Sequence, residues 1–255
     1  MSSMRKYRRF LSADNWEEYV RKSHRTDQRD KVPAPPVQKP YPKDARLVDL
    51  VPADMLTVGR IPLLDVIARR QSRRKYSNEP LSLEELSFLL WATQGMRKAA
   101  TRNDGIPRTF RTVPSAGARH TFETYLMINR VTDLECGLYR YLPVEHKLLF
   151  ERSDPTLAVK IARAGLEQKF IADGAVIFVW TTIPYRAEWR YSIVSHKMIA
   201  QDSGHLCQNL YLAAEAIGAG TCAIAAYHQK QMDDLIGVDG EDEFVIYLAP
   251  VGKPA

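Results

Sequence analysis

The sequence predicts an α+β fold in which a mixed sheet is flanked by helices, one of them long and central. Residues 195–217 carry apolar side chains at helical spacing, and Gly218 ends this pattern. Residues 175–183 are almost entirely apolar, which is typical of a strand buried on both faces. Shorter helical and strand patterns alternate around these two segments, and no internal repeat is visible.

The first elements of the core follow from local signals. Residues 62–70 predict a short helix, and its apolar face consists of Leu63, Leu64, Ile67 and Ala68. Ser82 and Glu85 form a capping box at the start of a second helix, which Gly95 stops. Residues 97–113 are basic, polar and irregular, so they predict a surface loop.

Further elements follow toward the C-terminal end. Asp154 as N-cap and Pro155 at the first helical position predict another helix. The remaining patterns predict strands at residues 122–129, 221–226 and 243–251, a hairpin over residues 137–150, and a short helix around residues 232–236.

The first part of the chain differs from the rest in composition. Residues 1–30 hold eight Lys or Arg against five acidic residues, and residues 33–42 hold five prolines. Proline at this density favours an extended path without a core of its own. We therefore predict a basic, proline-rich extension over residues 1–59 and one domain over residues 60–255. The extension either wraps over this domain, stays partly mobile or is a solvated basic tail.

Composition also limits the cellular context and the kind of site. The first residues lack an apolar signal-peptide region, and no apolar run approaches the ~20 residues of a membrane span. The three cysteines have no metal-ligand spacing, and no pair of histidines has it either. We therefore expect a cytoplasmic protein with reduced thiols, no metal and no membrane partner. His205, inside the long helix, is expected to be a core histidine.

The net charge of +6 suits an anionic partner, which could be a nucleic acid, a membrane surface or a phosphorylated cofactor. Near the N-terminus, near-helical spacing relates Tyr7, Phe10, Trp16 and Tyr19. Such spacing is more typical of a helix docked on a core than of a stacking platform for bases. Nucleic acid is therefore not the partner that this pattern favours.

Three short segments combine residues suited to ligand binding. Guanidinium forks and a hydroxyl that could grip a phosphate occur together in Arg69-Arg70-Gln71-Ser72-Arg73-Arg74-Lys75-Tyr76. Small residues that let backbone approach a flat ligand follow a proline in Pro114-Ser115-Ala116-Gly117-Ala118. Two glycines separate a helix from a strand in Ile217-Gly218-Ala219-Gly220-Thr221-Cys222. Taken singly, the first segment is better explained as a solvated basic turn and the third as a helix C-cap, and the second could be an ordinary turn.

Together, and in this order, the segments resemble the FMN-dependent nitroreductase superfamily, and more narrowly its SagB-type branch of thiazole/oxazole-forming (azoline) dehydrogenases. The resemblance covers residues 60–253. Its markers are Arg70-x-Ser72-x-Arg74-x-Tyr76, residues 81–86 and 90–95, residues 111–118 with Glu123 and Tyr125, residues 137–141 with His146, Gly204-His205, and residues 209–215 and 249–253.

The resemblance implies a nitroreductase-like fold and an interlocked homodimer, with FMN at two sites between the chains. It assigns the ribityl phosphate to Arg70, Gln71, Ser72 and Arg74, with Lys253 as a candidate for a further contact. It assigns the turn of the partner chain beside the flavin ring to Pro114, Ser115, Ala116 and Gly117. It assigns the pyrimidine edge to Gly218, Gly220 and Thr221. Flavin supplies the redox chemistry, and backbone donors at that edge would stabilise the charge gained on reduction.

The resemblance also identifies a candidate catalytic pair. Arg190 and Tyr191 stand where azoline dehydrogenases carry a Lys-Tyr pair thought to abstract a proton. Arginine does not deprotonate at useful pH, so Arg190 is a poor base, although it could stabilise an anion. Tyr191 alone could still move a proton.

The resemblance implies an oxidoreductase that passes electrons from NAD(P)H through FMN to a small-molecule acceptor. An alternative within the family is an azoline dehydrogenase that uses FMN and oxygen. A third alternative, supported by the charge and the basic extension, is a non-redox protein that binds anions or nucleic acid.

Overall fold

The computed structural model describes residues 7–21, 25–101 and 105–255, so expectations that fall on residues 1–6, 22–24 and 102–104 lie outside the described residues. The helices are α1 (Asp14–Arg21), α2 (Leu63–Arg69), α3 (Leu83–Gln94), α4 (Leu157–Ala164), α5 (Phe170–Asp173), α6 (Tyr185–Tyr191), α7 (Ser195–Ala216) and α8 (Gln229–Ile236). The strands are β1 (Leu47–Asp49), β2 (Met96–Thr101), β3 (Pro107–Arg111), β4 (Phe122–Ile128), β5 (Gly137–Leu142), β6 (Lys147–Arg152), β7 (Val176–Thr182), β8 (Gly220–Thr221) and β9 (Phe244–Gly252).

Seven strands form one sheet in the order β1-β6-β5-β4-β7-β9-β8, and β2 pairs with β3 separately. Within the described chain, every ladder between neighbouring strands is antiparallel, and parallel pairing occurs only at isolated bridges. All seven residues of β7 are buried, as their apolar sequence predicts. The predicted α+β class is confirmed.

Helices cover both faces of this sheet. One apolar core joins α3 and α7 to the sheet and includes Leu90 and Leu210. A second core on the other face joins α4, α5 and α8 and includes Ile161 and Met232. The sheet is therefore the middle layer, and α7 and the segments that contact it lie on one side of it.

Helix α7 is the long helix that the sequence predicts, and its 22 residues span about 33 Å. Its buried side packs on α3 and the sheet. Its other side is exposed at Gln201, Gly204, His205 and Gln208. The expectation of a core histidine is wrong, because position 205 falls on the open side, where the His205 side chain is 49% exposed. Within the described ranges, no helix combines the length and the apolar composition needed to cross a bilayer.

Local capping chemistry sets the ends of α3. The Ser82 hydroxyl accepts a hydrogen bond from the Glu85 N–H, and the Glu85 carboxylate accepts one from the Ser82 N–H, so the predicted capping box is confirmed. Gly95 ends the helix with a φ of −56°, which any residue adopts. The chain continues from there directly into β2.

The prediction of a surface loop over residues 97–113 is wrong, because β2 and β3 form an antiparallel pair there. The basic residues Arg108 and Arg111 of β3 are buried rather than solvated. A strand that buries arginines has no apolar alternation, so its sequence pattern is that of a loop.

Two further boundaries differ from their predictions. Helix α4 begins at Leu157, because the Asp154 carboxylate accepts hydrogen bonds from the backbone N–H and the hydroxyl of Thr156 in a turn before the helix. In the predicted strand 221–226, only Thr221 belongs to β8, and Ile224 adds an isolated bridge. The other predicted helices and strands lie within three residues of their predicted bounds, whereas β1, α5 and α6 were not predicted.

The described part of residues 1–59 packs against the domain. Strand β1 pairs with β6 at the sheet edge. The Lys39 ammonium donates to the Glu243 carboxylate over 2.5 Å, and the Trp189 indole donates to the Val32 carbonyl over 2.9 Å. Trp16 of α1 remains 44% exposed. These contacts support the wrapped path for residues 25–59, while the domain boundary at residue 60 stays a prediction.

Candidate active site

The basic segment at residues 70–76 lies beside the glycine turn that follows α7. Ser72 forms a parallel bridge with Thr221. The Ser72 hydroxyl lies 2.9 Å from the phenol oxygen of Tyr211, and the Arg70 guanidinium lies 5.4 Å from the centre of the same ring. The structure therefore brings two of the three predicted segments together at the C-terminal half of α7.

Arg73 makes contacts within this cluster that hold the chain together. Its guanidinium donates to both carboxylate oxygens of Glu215 over 3.2 Å, and its backbone N–H donates to the Thr221 carbonyl over 3.0 Å. The Arg73 side chain also fills the space beside Gly220, where an added Cβ would clash with it. In this chain the absence of a side chain at Gly220 is therefore explained by the packing of Arg73.

Open backbone and exposed cations lie at the same end of the helix. Gly218 has a φ of +66°, and apart from its chain neighbours no atom of the described residues lies within 4 Å of the place that a Cβ would take. Arg74 is exposed and lies over the Phe170 ring at 5.9 Å, and Gln71 is also exposed. These groups offer donors and free space to a phosphate-bearing ligand, and guanidinium forks suit phosphate geometry.

Lys253 and Thr221 are already engaged within the chain. The Lys253 ammonium donates to the Glu85 carboxylate over 2.5 Å and to the Ile217 carbonyl over 2.8 Å. The Thr221 hydroxyl donates to the Pro250 carbonyl over 2.8 Å. Lys253 thus lies at the glycine turn with its charge paired, and the buried Thr221 has both its hydroxyl and its carbonyl engaged within the chain.

The third segment forms a tight turn on the N-terminal half of α7. Its residues 116–118 are a 3₁₀ turn, and the Ala116 N–H donates to the Asp202 carboxylate over 3.0 Å. The Ser115 hydroxyl accepts from the His120 N–H over 2.9 Å. Burial raises the pKa of the Asp202 carboxyl, against the opposing effect of the hydrogen bonds from Ala116 and Ser115. Asp202, which carries no sequence signal, is the residue that fixes this turn to the helix.

The candidate catalytic pair lies directly against this turn. Gly117 has a φ of +58°, and an added Cβ would lie 2.5 Å from the Tyr191 phenol oxygen and 2.8 Å from Arg190 Nε. The Arg190 guanidinium donates to the side-chain oxygen of Gln28 over 3.1 Å. The exposed Pro114 lines a cavity of about 560 Å³ together with Gly117 and Arg190. A glycine is needed at position 117 both for its left-handed backbone and for the close approach of Tyr191.

The two clusters are separate within one chain. The Pro114–Gly117 turn meets α7 at Asp202, whereas the basic segment and glycine turn meet it at Tyr211 and Glu215. These positions are nine to thirteen residues apart on one helix, which corresponds to about 14 to 20 Å along its axis. A ligand that touches both clusters must therefore span this distance or lie between two chains.

The model of the Nitroreductase family matches residues 67–253, which include both clusters. The chain therefore belongs to the nitroreductase family and is an oxidoreductase. The nitroreductase-like protein MJ1384 of Methanocaldococcus jannaschii is 30% identical over 205 residues, which are 80% of this chain and 98% of that protein.

Solved structures share the fold. A nitroreductase-like protein of Anabaena variabilis matches with a TM-score of 0.67 at 23% identity, over 84% of this chain but only 42% of its own. The Escherichia coli microcin synthetase McbBCD complex, with truncated pro-MccB17 bound, has a chain that matches with a TM-score of 0.61 at 16% identity, over 86% of this chain and 78% of that one. The NADPH:FMN oxidoreductase of Vibrio harveyi, complexed with NAD+, matches with a TM-score of 0.52 at 17% identity, over 75% of this chain and 68% of that one.

Proposed function

We propose that the protein is an FMN-dependent oxidoreductase that passes electrons from NAD(P)H through bound FMN to a small-molecule acceptor. The observation that carries this proposal is the cluster of Arg70, Ser72 and Arg74 beside the open glycine turn at Gly218. Membership of the nitroreductase family and the fold shared with an NADPH:FMN oxidoreductase support it. Bound FMN supplies the two-electron chemistry, and the protein supplies position and electrostatics.

The chain's own residues divide the binding task. Donors at one end of α7 hold the ribityl phosphate, and they are the half-buried Arg70 and the exposed Gln71, Ser72 and Arg74. Backbone groups of Gly218, Gly220 and Thr221 serve the pyrimidine edge, where donors stabilise negative charge. Lys253 contributes a phosphate contact by leaving Glu85. The turn from Pro114 to Gly117 serves the flavin ring from a second copy of the chain.

The proposal includes a homodimer, and the separation of the two clusters within one chain supports it. The open side of α7 lies between them, exposed at Gly204 and Gln208. Helix α2 adds apolar side chains that a soluble monomer rarely groups together: Leu63 is 64% exposed, Leu64 78% and Ile67 56%. Burying these surfaces against a second copy would bring the turn of one chain to the basic segment of the other.

Cofactor binding tests the proposal directly. The double variant Arg70→Gln, Arg74→Gln removes two guanidinium contacts to phosphate, each worth about 1.5 kcal/mol or more. The dissociation constant of FMN, measured by fluorescence titration of the apoprotein, should rise about 100-fold. The matched control Arg69→Gln, Lys75→Gln removes the same charge from exposed neighbours and should change it less than threefold. Equal effects of the two double variants would contradict the assignment of the phosphate site.

An azoline dehydrogenase that uses FMN and oxygen is the second candidate. The contact between Gly117 and the Tyr191 phenol favours it, because it puts a proton-transfer group beside the proposed flavin turn. The fold shared with a chain of the microcin synthetase complex is compatible with it. A thiazoline peptide should then be oxidised in air without NAD(P)H, and Tyr191→Phe should lower that rate at least 100-fold. An unchanged rate in this variant would contradict the role of Tyr191.

A further inference from the structure

The cavity beside the Pro114–Gly117 turn is lined by positive charge. It has a volume of about 560 Å³ and lies where the β2–β3 pair meets the turn. Its charged lining consists of Arg97, Arg108, Arg111 and Arg190. No Asp or Glu is among the described residues that line it.

Three of these arginines are held by neutral groups. Arg97 donates to the backbone carbonyl of Arg111 over 3.1 Å, and Arg190 donates to the amide oxygen of Gln28 over 3.1 Å. Arg111 donates to the amide oxygen of Gln94 over 2.9 Å and to a backbone carbonyl. These hydrogen bonds orient the guanidinium groups, and none of them is to a carboxylate, although the buried Glu123 carboxylate acts to raise the pKa of Arg111.

The surroundings of the cavity show the same excess of positive charge. Burial and the guanidinium groups of Arg108 and Arg190 lower the pKa of Arg119 to about 10. Burial and the nearby Arg111 lower the pKa of His120 to about 2, so this ring stays neutral. Cations crowded into a partly buried space repel one another, and an anion that enters relieves that repulsion.

The cavity also adjoins the proposed reaction site. Gly117 and Arg190 belong to its lining, and both lie against Tyr191. An anion held by Arg97 and Arg190 would therefore lie beside the residue that precedes Tyr191, the candidate proton-transfer group. A guanidinium fork binds a carboxylate or a phosphate through two parallel hydrogen bonds, which fixes orientation as well as position.

We propose that the substrate that reacts at this site carries a carboxylate or a phosphate, and that Arg97 and Arg190 hold it in this cavity. The inference rests on the proposed function, since it names the substrate class of the same site. Arg111 and its partners form the fixed wall of the cavity, and Arg97, at the exposed rim, supplies the charge that an incoming anion meets first.

Paired probes that differ only in charge test the inference. Equilibrium dialysis of the purified full-length protein against 4-nitrobenzoate and methyl 4-nitrobenzoate measures the preference for the anion without any need for turnover. The wild-type protein should bind the acid at least tenfold more tightly than the ester. Arg97→Gln should lower this preference about tenfold. The control Arg163→Gln removes the same charge from an exposed position on α4 and should leave the preference within twofold.

A second pair of probes separates the two sources of the anion. NADP+ and NAD+ differ by one phosphate, so a preference for NADP+ that Arg97→Gln abolishes would assign the cavity to the phosphate of the electron donor. A loss of preference for 4-nitrobenzoate alone would assign it to a carboxylate of the acceptor. Equal binding of acid and ester, together with equal binding of the two dinucleotides, would overturn the inference. Preferences for the anionic probes that Arg97→Gln leaves unchanged would also overturn it.

The proposed function fails separately, because its test is the binding of FMN. Protein that binds no FMN but prefers the anionic probes would refute the flavin site and retain the anion site. Protein that binds FMN but shows no preference for the anionic probes would refute the anion site and retain the flavin site.

Discussion

Replacing Gly117 by alanine tests how closely the turn and the candidate catalytic pair are coupled. Gly117 has a φ of +58°, so an alanine there costs about 1 kcal/mol of stability for its left-handed backbone. The new Cβ would lie 2.5 Å from the Tyr191 phenol oxygen, whereas ordinary contacts begin at 3.4 Å. The phenol must therefore move by about 0.9 Å, the difference between these two distances.

This displacement should affect turnover more than stability. The atoms in the way are the Tyr191 phenol oxygen and the Nε and Cδ atoms of Arg190, all of them side-chain atoms that can yield without unfolding the turn. A misplacement of about 1 Å at a reacting group lowers the rate roughly 100-fold. We expect kcat/KM with NAD(P)H and 4-nitrobenzoate to fall by that order in Gly117→Ala. The free energy of unfolding in urea should fall by only about 1 to 2 kcal/mol.

Gly105 offers a matched control for this experiment. Its φ of +71° carries the same backbone cost, but none of the described residues beyond its chain neighbours places an atom within 4 Å of its missing Cβ. Gly105→Ala should therefore lose similar stability and keep kcat/KM within about threefold of the wild-type value. If both variants lost turnover equally, or if neither did, the coupling between the turn and Tyr191 would be refuted.

Three other predictions concern acid stability, the N-terminal segment and the oligomer. Burial lowers the pKa of His120 to about 2, so the unfolded chain alone takes up this proton below pH 6.5. The stability that neutral His120 provides above that pH is lost toward pH 2. Between pH 7 and 5.5 the loss is about 1 kcal/mol in urea unfolding, and His120→Gln should lack it. Lys39→Met leaves the Glu243 carboxylate, which is 7% exposed, without its cation, so the free energy of unfolding in urea should fall by about 2 to 3 kcal/mol. The control Lys43→Met, at an exposed position, should lower it by less than about 0.5 kcal/mol. Equal losses would contradict the pairing of Lys39 with Glu243. Leu64→Glu puts a charge on the apolar face of α2 and should convert a dimer to monomers in light scattering, and a retained dimer would exclude this face from the interface.

The fold was predictable where its causes are local in sequence. The capping box of Ser82 and Glu85 and the buried strand at residues 175–183 both depend on side chains within a few positions of each other. The β2–β3 pair was missed because its pattern depends on tertiary contacts. Arg111 is buried by donating to Gln94 and to the N-terminal segment, and no local signal marks such a position.

The candidate site shows the same division. The three segments were recognisable by residue type and order, and two of them meet in the structure. The residues of α7 that hold these segments in place were not recognisable, because Asp202 and Glu215 contact Ala116 and Arg73 only in the folded chain. Gly220 is the clearest example, because the residue that fills the space beside it is Arg73 of the same chain. Tyr211 and Glu215 lie within residues 209–215, which contribute to the family resemblance, but the sequence did not indicate what either residue does.

Co-sedimentation of FMN with the protein tests whether the flavin site lies between two chains. In analytical ultracentrifugation followed at flavin and protein wavelengths, we expect one FMN per chain on a species of twice the chain mass. NAD(P)H should bleach the flavin absorbance of this species under anaerobic conditions. Flavin that stays free, or that sediments with a monomer at the same occupancy, would contradict a site built between two chains.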